Sequence, residues 1–146
     1  MNAAARQTIA AALDVALVDL INLGLLAKQA HWNVEGPMFR SLHLLLDELA
    51  DLARNGGDEV AERAITLGHH PDGRAATVAT SSLPDVPAGA IRDSDVVARF
   101  QLILDAVVER LHRAIDSSTD DPVTQDLLTT IAAGIEKQAW MICAHA

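Results

Sequence analysis

Five residues of this 146-residue chain, two histidines and three carboxylates that follow them, are of types and spacing that could bind a metal: His31, His43, Asp47, Asp58 and Glu62. His43 and Asp47 are four residues apart, as are Asp58 and Glu62, so each pair lies one turn apart on one face of a helix. About three turns, or roughly 16 Å of helix, separate the two pairs. The fifth residue, His31, belongs to the preceding segment. Because one metal ion cannot reach both pairs, we interpret the chain as carrying two half-sites.

Two imidazoles and three carboxylates form a mixed nitrogen and oxygen ligand set. Such a set suits Fe(II), with Mn(II) or Zn(II) as alternatives, and the lack of a nearby thiolate argues against a structural zinc site. His31, His43 and Asp47 alone resemble the two-histidine, one-carboxylate group that leaves positions open on iron for an oxidant. For any one of these residues a solvated side chain is the alternative interpretation, but their shared face favours a metal site.

Apolar residues of the same segment predict how two half-sites could meet. Those on the opposite side of the helix are Leu42, Leu45, Leu49, Leu52 and Val60. This side has a core to fill, so the metal-binding face points out of the monomer. An antiparallel copy, related by a two-fold axis near Leu52, would set His43 and Asp47 opposite the partner's Asp58 and the partner's Glu62. Each dimer would then hold two identical sites.

Two long helices must position these residues. Apolar residues at three-and-four spacing predict a first helix over about residues 2–34, with His31 near its end. Gly36 and Pro37 interrupt the chain and begin a second helix, which runs to about Leu67. The metal-binding residues therefore lie on two consecutive helices.

Glycines raise a question about both helices. Gly24 lies on the apolar face of the first helix, where a missing side chain permits close approach of a neighbour. Asn55, Gly56 and Gly57 are poor helix formers in the middle of the second, and each Gly costs about 1 kcal/mol relative to Ala. The apolar pattern keeps its phase across them, so we predict one uninterrupted helix.

The second half of the chain predicts a crossover and two more helices. Residues 69–92 are rich in Pro, Gly and Ser and predict a long connection, with a short helix over 74–81. Asp93 or Ser94 is expected to cap a third helix that ends near residue 117, and a fourth runs from Pro122 to the C-terminus. Four helices with one long crossover predict an all-α, ferritin-like bundle.

Composition agrees with this fold and bounds the function. Hydrophobic residues make up 50% of the chain and aromatics 3%, which suits close helix packing in a single domain over residues 1–146. The net charge is −9, and Arg6 is the one basic residue before Lys28, so we see no basic arm for nucleic acid. Acidity fits metal cations better than phosphates.

The first helix and the single cysteine bear on location. Asp14 and Asp19 interrupt the apolar N-terminal segment, and a cationic n-region is lacking, which argues against a signal peptide and a membrane span. Cys143 cannot form an intramolecular disulfide and fits a reducing compartment. We therefore expect a cytoplasmic protein.

Other histidines fit a metal role less well. Ferritins proper use two inward-facing Glu-x-x-His motifs within one bundle, whereas this chain has one match, Glu109 with His112. We interpret that match as a solvated helical face. His69 and His70 follow the end of the second helix, and we expect them to be solvated as well.

Residues 28–73 carry an extended motif. Their sequence is KQAHWNVEGPMFRSLHLLLDELADLARNGGDEVAERAITLGHHPDG. It resembles the signature of the Dps family of miniferritins, in which His-Trp-Asn precedes Gly-Pro-x-Phe-x-x-Leu-His-x-x-x-Asp-Glu and then Asp-x-x-Ala-Glu-Arg. All these elements stand in order and spacing over about a third of the chain, and the flanking helices agree in length and in the pattern of Glu136, Lys137 and Trp140.

The resemblance implies a twelve-subunit hollow shell that protects against oxidative stress. Members of the family oxidise Fe(II), usually with hydrogen peroxide in preference to dioxygen, and store the ferric product inside. Their ferroxidase ligands fall on His31, His43 and Asp47 of one subunit and on Asp58 and Glu62 of its two-fold mate. Fe(II) and Fe(III) are thus the expected metal species, and no organic cofactor is expected.

Further roles are suggested for residues near these ligands. Trp32 is either an electron relay or an aromatic residue of the interface. Glu48 and Asp51 are candidates for mineral nucleation, although Leu44 stands where family members often have another acid.

An acidic segment offers a candidate entry pore. It contains Asp116, Asp120, Asp121 and Asp126, of which Asp121 and Asp126 are the preferred pair. Capping of the fourth helix by Asp121 is the alternative.

Two other functions remain open. Some Dps proteins bind and compact DNA through basic tails, but the net charge of −9 and the lack of lysine-rich arms lead us to expect no strong DNA binding unless Mg²⁺ bridges the two. A helical dimer held together by Zn(II), without turnover, is the third reading.

Overall fold

A computed structural model describes all 146 residues as five helices and two short strands. The elements are α1 (Ala3–Asn33), β1 (Val34–Glu35), α2 (Phe39–Thr66), α3 (Ala75–Val78), β2 (Ile91–Arg92), α4 (Asp93–Asp116) and α5 (Pro122–Cys143). The four long helices form a bundle in which α1 packs on α2 and α4, and α5 packs on α4 and α2. A long crossover joins α2 to α4. The predicted ferritin-like bundle is confirmed, and only the short crossover helix is shorter than expected.

One hydrophobic core of 34 buried residues fills the bundle. Each long helix contributes side chains with no exposed surface, among them Leu20, Leu46, Phe100 and Ile135. Burying a side chain of this size stabilises the fold by about 1.5–3 kcal/mol. On α2 the residues predicted to face inward are fully buried (Leu42, Leu49 and Val60) or packed against the core (Leu45 and Leu52).

The second helix runs without a break through its glycines, as predicted. A Cβ on Gly56 would stand 3.3 Å from the Ile131 side chain on α5, which is a tight contact. A Cβ on Gly57 would meet Leu17 on α1 at 3.8 Å. Packing against two neighbouring helices therefore offsets the low helix propensity of these residues. Gly24 is less constrained, since a Cβ there would stand 3.8 Å from the nearest backbone atom of α2.

A two-residue parallel bridge between β1 and β2 joins the end of α1 to the start of α4. Beside it, the Asp93 carboxylate accepts hydrogen bonds from the backbone N–H groups of Met38, at 2.8 Å, and Ser94, at 2.9 Å. Asp93 is itself the first residue of α4, and Arg92 stands at the cap position. Our prediction that Asp93 or Ser94 is the cap residue is therefore wrong, because Arg92 stands at that position, and the Asp93 carboxylate links the first turn of α4 to the start of α2.

A buried ion pair fastens the crossover to the bundle. Asp19 on α1 is 3% exposed, and Arg110 on α4 contacts both of its carboxylate oxygens, at 2.8 and 3.0 Å. The Ser81 hydroxyl donates to the same carboxylate, and Arg110 donates to the Ser82 hydroxyl. Because an unpaired charge at this depth is costly, Asp19 and Arg110 depend on each other.

By length and composition alone, α1 is apolar enough to cross a membrane. Half of its most apolar window is buried inside the bundle, where Leu20 and Leu23 have no exposed surface. The same apolar character is typical of the core helix of a bundle.

The turn between α1 and α2 requires glycine at position 36. Gly36 has a φ of +131°, and a Cβ there would lie 2.3 Å from an Asp93 carboxylate oxygen. We expect Gly36→Ala to lower the free energy of unfolding by about 2–4 kcal/mol, because alanine is strained at this φ and its Cβ would clash with Asp93. Gly89 is the matched control, since its φ is +86° and its surroundings are open.

Gly89→Ala is expected to cost only about 1 kcal/mol. Chemical denaturation of the two variants and the parent chain measures both values. Equal losses in the two variants would show that the approach of Asp93 does not constrain the turn.

Candidate metal centre

Two histidines from successive helices form a stacked pair beside this turn. The rings of His31 on α1 and His43 on α2 are nearly parallel, with centroids 3.7 Å apart. His31 Nδ1 lies 2.7 Å from the His43 carbonyl oxygen, and His43 Nδ1 lies 2.8 Å from the His31 carbonyl oxygen. His31 is 8% exposed, and the Phe39 ring also stacks on His43, with centroids 5.0 Å apart. Each helix therefore holds the imidazole of the other.

These contacts define the chemistry of both rings. A carbonyl oxygen only accepts hydrogen bonds, so Nδ1 must be the protonated nitrogen in His31 and in His43. In the neutral ring, Nε2 then keeps its lone pair and is free to bind a metal. A backbone carbonyl that receives the second ring N–H is also the usual support of a metal-binding histidine.

Asp47 lies one turn beyond His43 and is paired with a lysine. Lys28 Nζ on α1 contacts Asp47 Oδ1 at 2.5 Å. The hydrogen bond from Lys28 lowers the pKa of Asp47, partial burial opposes this, and the charges of Lys28 and the two histidines add to the lowering. Asp47 is therefore a carboxylate at neutral pH, and Lys28 already neutralises it.

Asp58 and Glu62 are separate from this group. Both are exposed on the second half of α2. A hollow of about 730 Å³ between α1 and α2 extends from Lys28 and Trp32 at one end to Asp58 at the other. The hollow thus connects the Lys28 end of the α1–α2 face to Asp58, whereas Glu62 lines a separate groove between α2 and α5.

A single chain does not assemble a complete metal site. No three His, Cys, Asp or Glu side chains come together closely enough to hold an ion. In particular, Asp47 is turned to Lys28 and does not join His31 and His43 in the three-residue group that the sequence suggested.

Trp32 is 66% exposed, immediately after His31. Lys28 Nζ lies 5.8 Å from the centroid of its ring, a distance at which a cation interacts with an aromatic face. Glu48 and Asp51 are exposed on α2, and Leu44 near them is 46% exposed. Their suggested roles in electron relay and mineral nucleation stay predictions.

The two preferred pore residues differ in their surroundings. Asp121 is 8% exposed, and Arg63 contacts its two carboxylate oxygens at 2.9 and 2.6 Å. The Thr124 hydroxyl donates to the same carboxylate and accepts a hydrogen bond from Arg63 Nε. Asp126 is exposed. Asp121 therefore links α2 to α5, and only Asp126 has a carboxylate free to line a pore.

Other acidic and histidine residues form ion pairs. Glu109 contacts Arg113 at 3.2 Å, and His112 contacts Glu136 at 2.8 Å, all at exposed positions. The Glu-x-x-His match is thus a solvated face, as predicted.

The two loop histidines have different surroundings. His69 Nε2 contacts the Asp14 carboxylate at 2.8 Å, whereas His70 is exposed. The expectation of a solvated residue is therefore correct for His70 and wrong for His69. The end of α2 lies against α1, which brings Asp14 within reach of His69.

Lys28 is the residue of this site that sequence reasoning missed. Its position carried a signal, because it stands three residues before His31 and four before Trp32 on one helix face. Its partner was not predictable, since Asp47 is nineteen residues away on another helix.

Comparisons with known proteins show which family this chain resembles along its length. A family model described as a ferritin-like domain matches residues 10–146. The chain is 39% identical over 135 residues to the DNA protection during starvation protein 2 of Deinococcus radiodurans, covering 91% of this chain and 56% of that protein. It is 34% identical over 151 residues to the DNA protection during starvation protein of Agrobacterium fabrum, covering 97% of this chain and 89% of that protein.

A solved structure shows the same likeness in three dimensions. Dps from Microbacterium arborescens, in a high iron form, matches this chain with a TM-score of 0.93 at 32% identity. The match covers 99% of this chain and 96% of that one. The similarity therefore extends along almost the whole chain, although the chain spans little more than half of the Deinococcus relative.

The Arg63 and Asp121 pair predicts a dependence of stability on pH. Burial raises the pKa of Asp121, but hydrogen bonds from Thr124 and Arg63 outweigh it, so the net value lies below the ordinary 3.8. The ionised carboxylate stabilises the fold fully above the ordinary pKa, and this contribution is lost as the pH falls through the lower folded-state value. We expect Asp121→Asn to cost about 3 kcal/mol at pH 7.

Thermal melting of this variant and the parent chain, at equal protein concentration from pH 7 to pH 3, measures the effect. The difference in Tm should be constant from pH 7 to about pH 5 and should shrink below about pH 4. Asp126→Asn is the control and should melt like the parent chain, because Asp126 is exposed. A difference for Asp121→Asn that persists unchanged at pH 3 would contradict the role of the ionised carboxylate.

Proposed function

The chain belongs to the Dps family of ferritin-like proteins, and on that premise we propose that it oxidises Fe(II) and stores the ferric product. The observation that carries the proposal is the reciprocal pair of hydrogen bonds between the His31 and His43 rings and backbone carbonyls. These bonds prepare two Nε2 lone pairs beside an ionised Asp47. In metal-binding histidines a hydrogen bond from the second ring nitrogen usually orients the ring in this way. It leaves Nε2 of His31 and Nε2 of His43 available to a metal, which a histidine pair with a purely structural role does not require.

We propose that the site is completed by a second copy of the chain. His31, His43 and Asp47 supply two nitrogens and one carboxylate, and Fe(II) needs more ligands than these. An antiparallel copy on the face between α1 and α2 would bring the partner's Asp58 and the partner's Glu62 to this group. The hollow between the two half-sites and the exposed Leu25 and Trp32 give this face apolar surface to bury.

The chemistry follows from placing two Fe(II) ions side by side. Each ion gives up one electron, and the two electrons break the O–O bond of one hydrogen peroxide molecule. With two protons, the oxygen atoms leave as two water molecules. Because both electrons arrive together, no hydroxyl radical is released, as it would be in one-electron reduction. Carboxylate ligands suit this reaction because they stabilise the Fe(III) that forms.

A closed shell would give the product a place to accumulate. We propose that two-fold dimers assemble into a dodecamer in the cytoplasm, where the free thiol Cys143 fits a reducing compartment. We propose that Asp126, which is exposed, lines the entry pore, and that Glu48 and Asp51 nucleate the mineral. Removal of Fe(II) and peroxide would protect DNA without any contact with it, in keeping with the names of the relatives.

Complementation between two defective subunits tests the shared site. His43→Ala and Asp58→Ala should each slow rapid Fe(II) oxidation by peroxide at least about tenfold, since each removes a ligand from every site. In a mixed dimer one of the two sites regains all its ligands. Unfolding and reassembling the two variants together in equal amounts should therefore restore about a quarter of the parent activity.

His112→Ala is the matched control, because His112 is exposed and lies outside both half-sites. It should oxidise Fe(II) like the parent chain, alone or in mixtures. No recovery in mixed assemblies, when each variant alone folds and assembles, would exclude a site shared between subunits.

Iron loading separates storage from a purely structural metal. We expect stepwise addition of Fe(II) without oxygen, followed by peroxide, to give ferric absorbance that grows far beyond two irons per site. The mass of the iron-loaded particle, measured by ultracentrifugation, should rise in parallel. Stoichiometric binding without oxidation would instead support the Zn(II)-type helical dimer.

Binding of DNA is expected to be weak. The chain carries a net charge of −9, and Arg6, near the N-terminus, donates to the Leu67 carbonyl oxygen. Electrostatic contact with phosphates depends on clustered free cations, which this chain does not offer near α1. In a gel-shift assay at low salt we expect no shift without Mg²⁺. A strong shift in the presence of a chelator would contradict this expectation.

A further inference from the structure

Lys28 occupies the carboxylate that the metal needs. Its Nζ contacts Asp47 Oδ1 at 2.5 Å, and the two side chains are 30% and 47% exposed. Lys28 lies three residues before His31, so its stem runs along the same face of α1 that presents the proposed ligand. The lysine and a metal ion held by the histidine pair would therefore compete for one carboxylate.

We propose that Lys28 is an internal counter-cation of Asp47, which a divalent metal must displace and which therefore lowers the affinity of the half-site. This inference rests on the proposed function. It is supported by the arrangement of Asp47, whose carboxylate is turned to Lys28 while His31 and His43 offer free Nε2 atoms.

Moving the Lys28 ammonium group away from Asp47 requires little free energy. An ion pair at this degree of exposure is weak, because water screens it and two flexible side chains must be held in one geometry. Lysine has a four-carbon stem and a compact ammonium group that is well solvated when it swings away. The Trp32 face, 5.8 Å from Nζ, gives the ammonium a second favourable contact near its present position.

A bound metal and the ammonium group cannot share Asp47 without cost. The metal carries two positive charges, and a third positive charge a few ångströms away repels it strongly in a partly buried site. When the metal binds, Lys28 must therefore move out towards the hollow or the solvent. The net free energy of metal binding is therefore the favourable free energy of the metal–ligand contacts reduced by the free energy needed to break the Lys28–Asp47 ion pair.

Co(II) is not oxidised in buffer without peroxide, so its binding measures this competition without any turnover. Its visible absorption bands report the nitrogen and oxygen ligands, and calorimetry gives the dissociation constant. We expect Lys28→Gln to tighten Co(II) binding about five- to tenfold. Lys28→Arg keeps the charge and grips a carboxylate through two N–H groups, so it should bind Co(II) no more tightly than the parent chain.

Lys137→Gln is the matched control. Lys137 is exposed on α5 and lies outside both half-sites, so this variant makes the same change of side chain and charge without touching Asp47 or the face between α1 and α2. It should change Co(II) affinity by less than about twofold. A comparable gain in this variant would assign the effect to general charge and overturn the role of the ion pair.

The order of the three affinities decides between competition and support. If Lys28→Gln weakens binding and Lys28→Arg restores it, then Lys28 positions Asp47 for the metal, and our inference is wrong. An affinity equal to the parent value in Lys28→Gln also overturns it. Lys28→Met replaces Lys28→Gln if the latter does not assemble, and it should bind more tightly for the same reason.

A further outcome separates this inference from the proposed function. If Co(II) binds the parent chain and His43→Ala abolishes its absorption bands, the proposed site stands whatever the Lys28 variants do. If neither the parent chain nor Lys28→Gln binds Co(II) through His43, both the site and the role of Lys28 are wrong.

Discussion

The contact between α1 and α2 at the turn that joins them is the constraint on which the candidate site depends. His31 and His43 bind each other's backbone carbonyls, so neither ring can turn without the other helix moving. The positive φ that Gly36 adopts without strain permits this approach, and Asp93 holds the start of α2 from the side of α4. Two imidazoles on different helices are thereby fixed to within the precision of a hydrogen bond.

Charged residues divide between two uses in this molecule. Arg110 neutralises the buried Asp19 carboxylate and so joins α4 to α1. Arg63 neutralises the buried Asp121 carboxylate and so joins the end of α2 to the start of α5. Removal of either cation would leave an uncompensated buried charge. By contrast, Asp58 and Glu62 are exposed and stand apart from these pairs. A cation from solution can therefore reach these two carboxylates.

Lys28 connects these two uses, because it gives a partly exposed carboxylate a removable partner. Without it, Asp47 would lie beside two imidazoles as an uncompensated charge in the isolated chain. The fold needs the lysine less than it needs Arg110, since the Lys28 pair is 30% and 47% exposed whereas Asp19 is buried. The ion pairs thus become stronger with burial. The Asp19 pair, which joins α1 to α4, is buried and strong, whereas the Lys28 pair, where we propose that a metal binds, is partly exposed and weak.

Sequence alone determined the helices, the faces of α2 and the division of the ligand residues into two groups. These features depend on the 3.6-residue period and on breakers such as Gly36 and Pro37, which are local properties of the chain. The resemblance of residues 28–73 to a family then suggested a chemistry for those positions.

Tertiary structure decided which nitrogen of His31 and His43 is free, and which partner each carboxylate has. Lys28 and Asp47 are nineteen residues apart, and Arg63 and Asp121 are fifty-eight apart, so their meeting depends on the register of packed helices. A side chain's partner across a helix interface shifts by a full turn when one helix slides about 5 Å. No local pattern encodes that distance, which is why the pairing of Asp121 with Arg63 and the pairing of Lys28 with Asp47 were not foreseen.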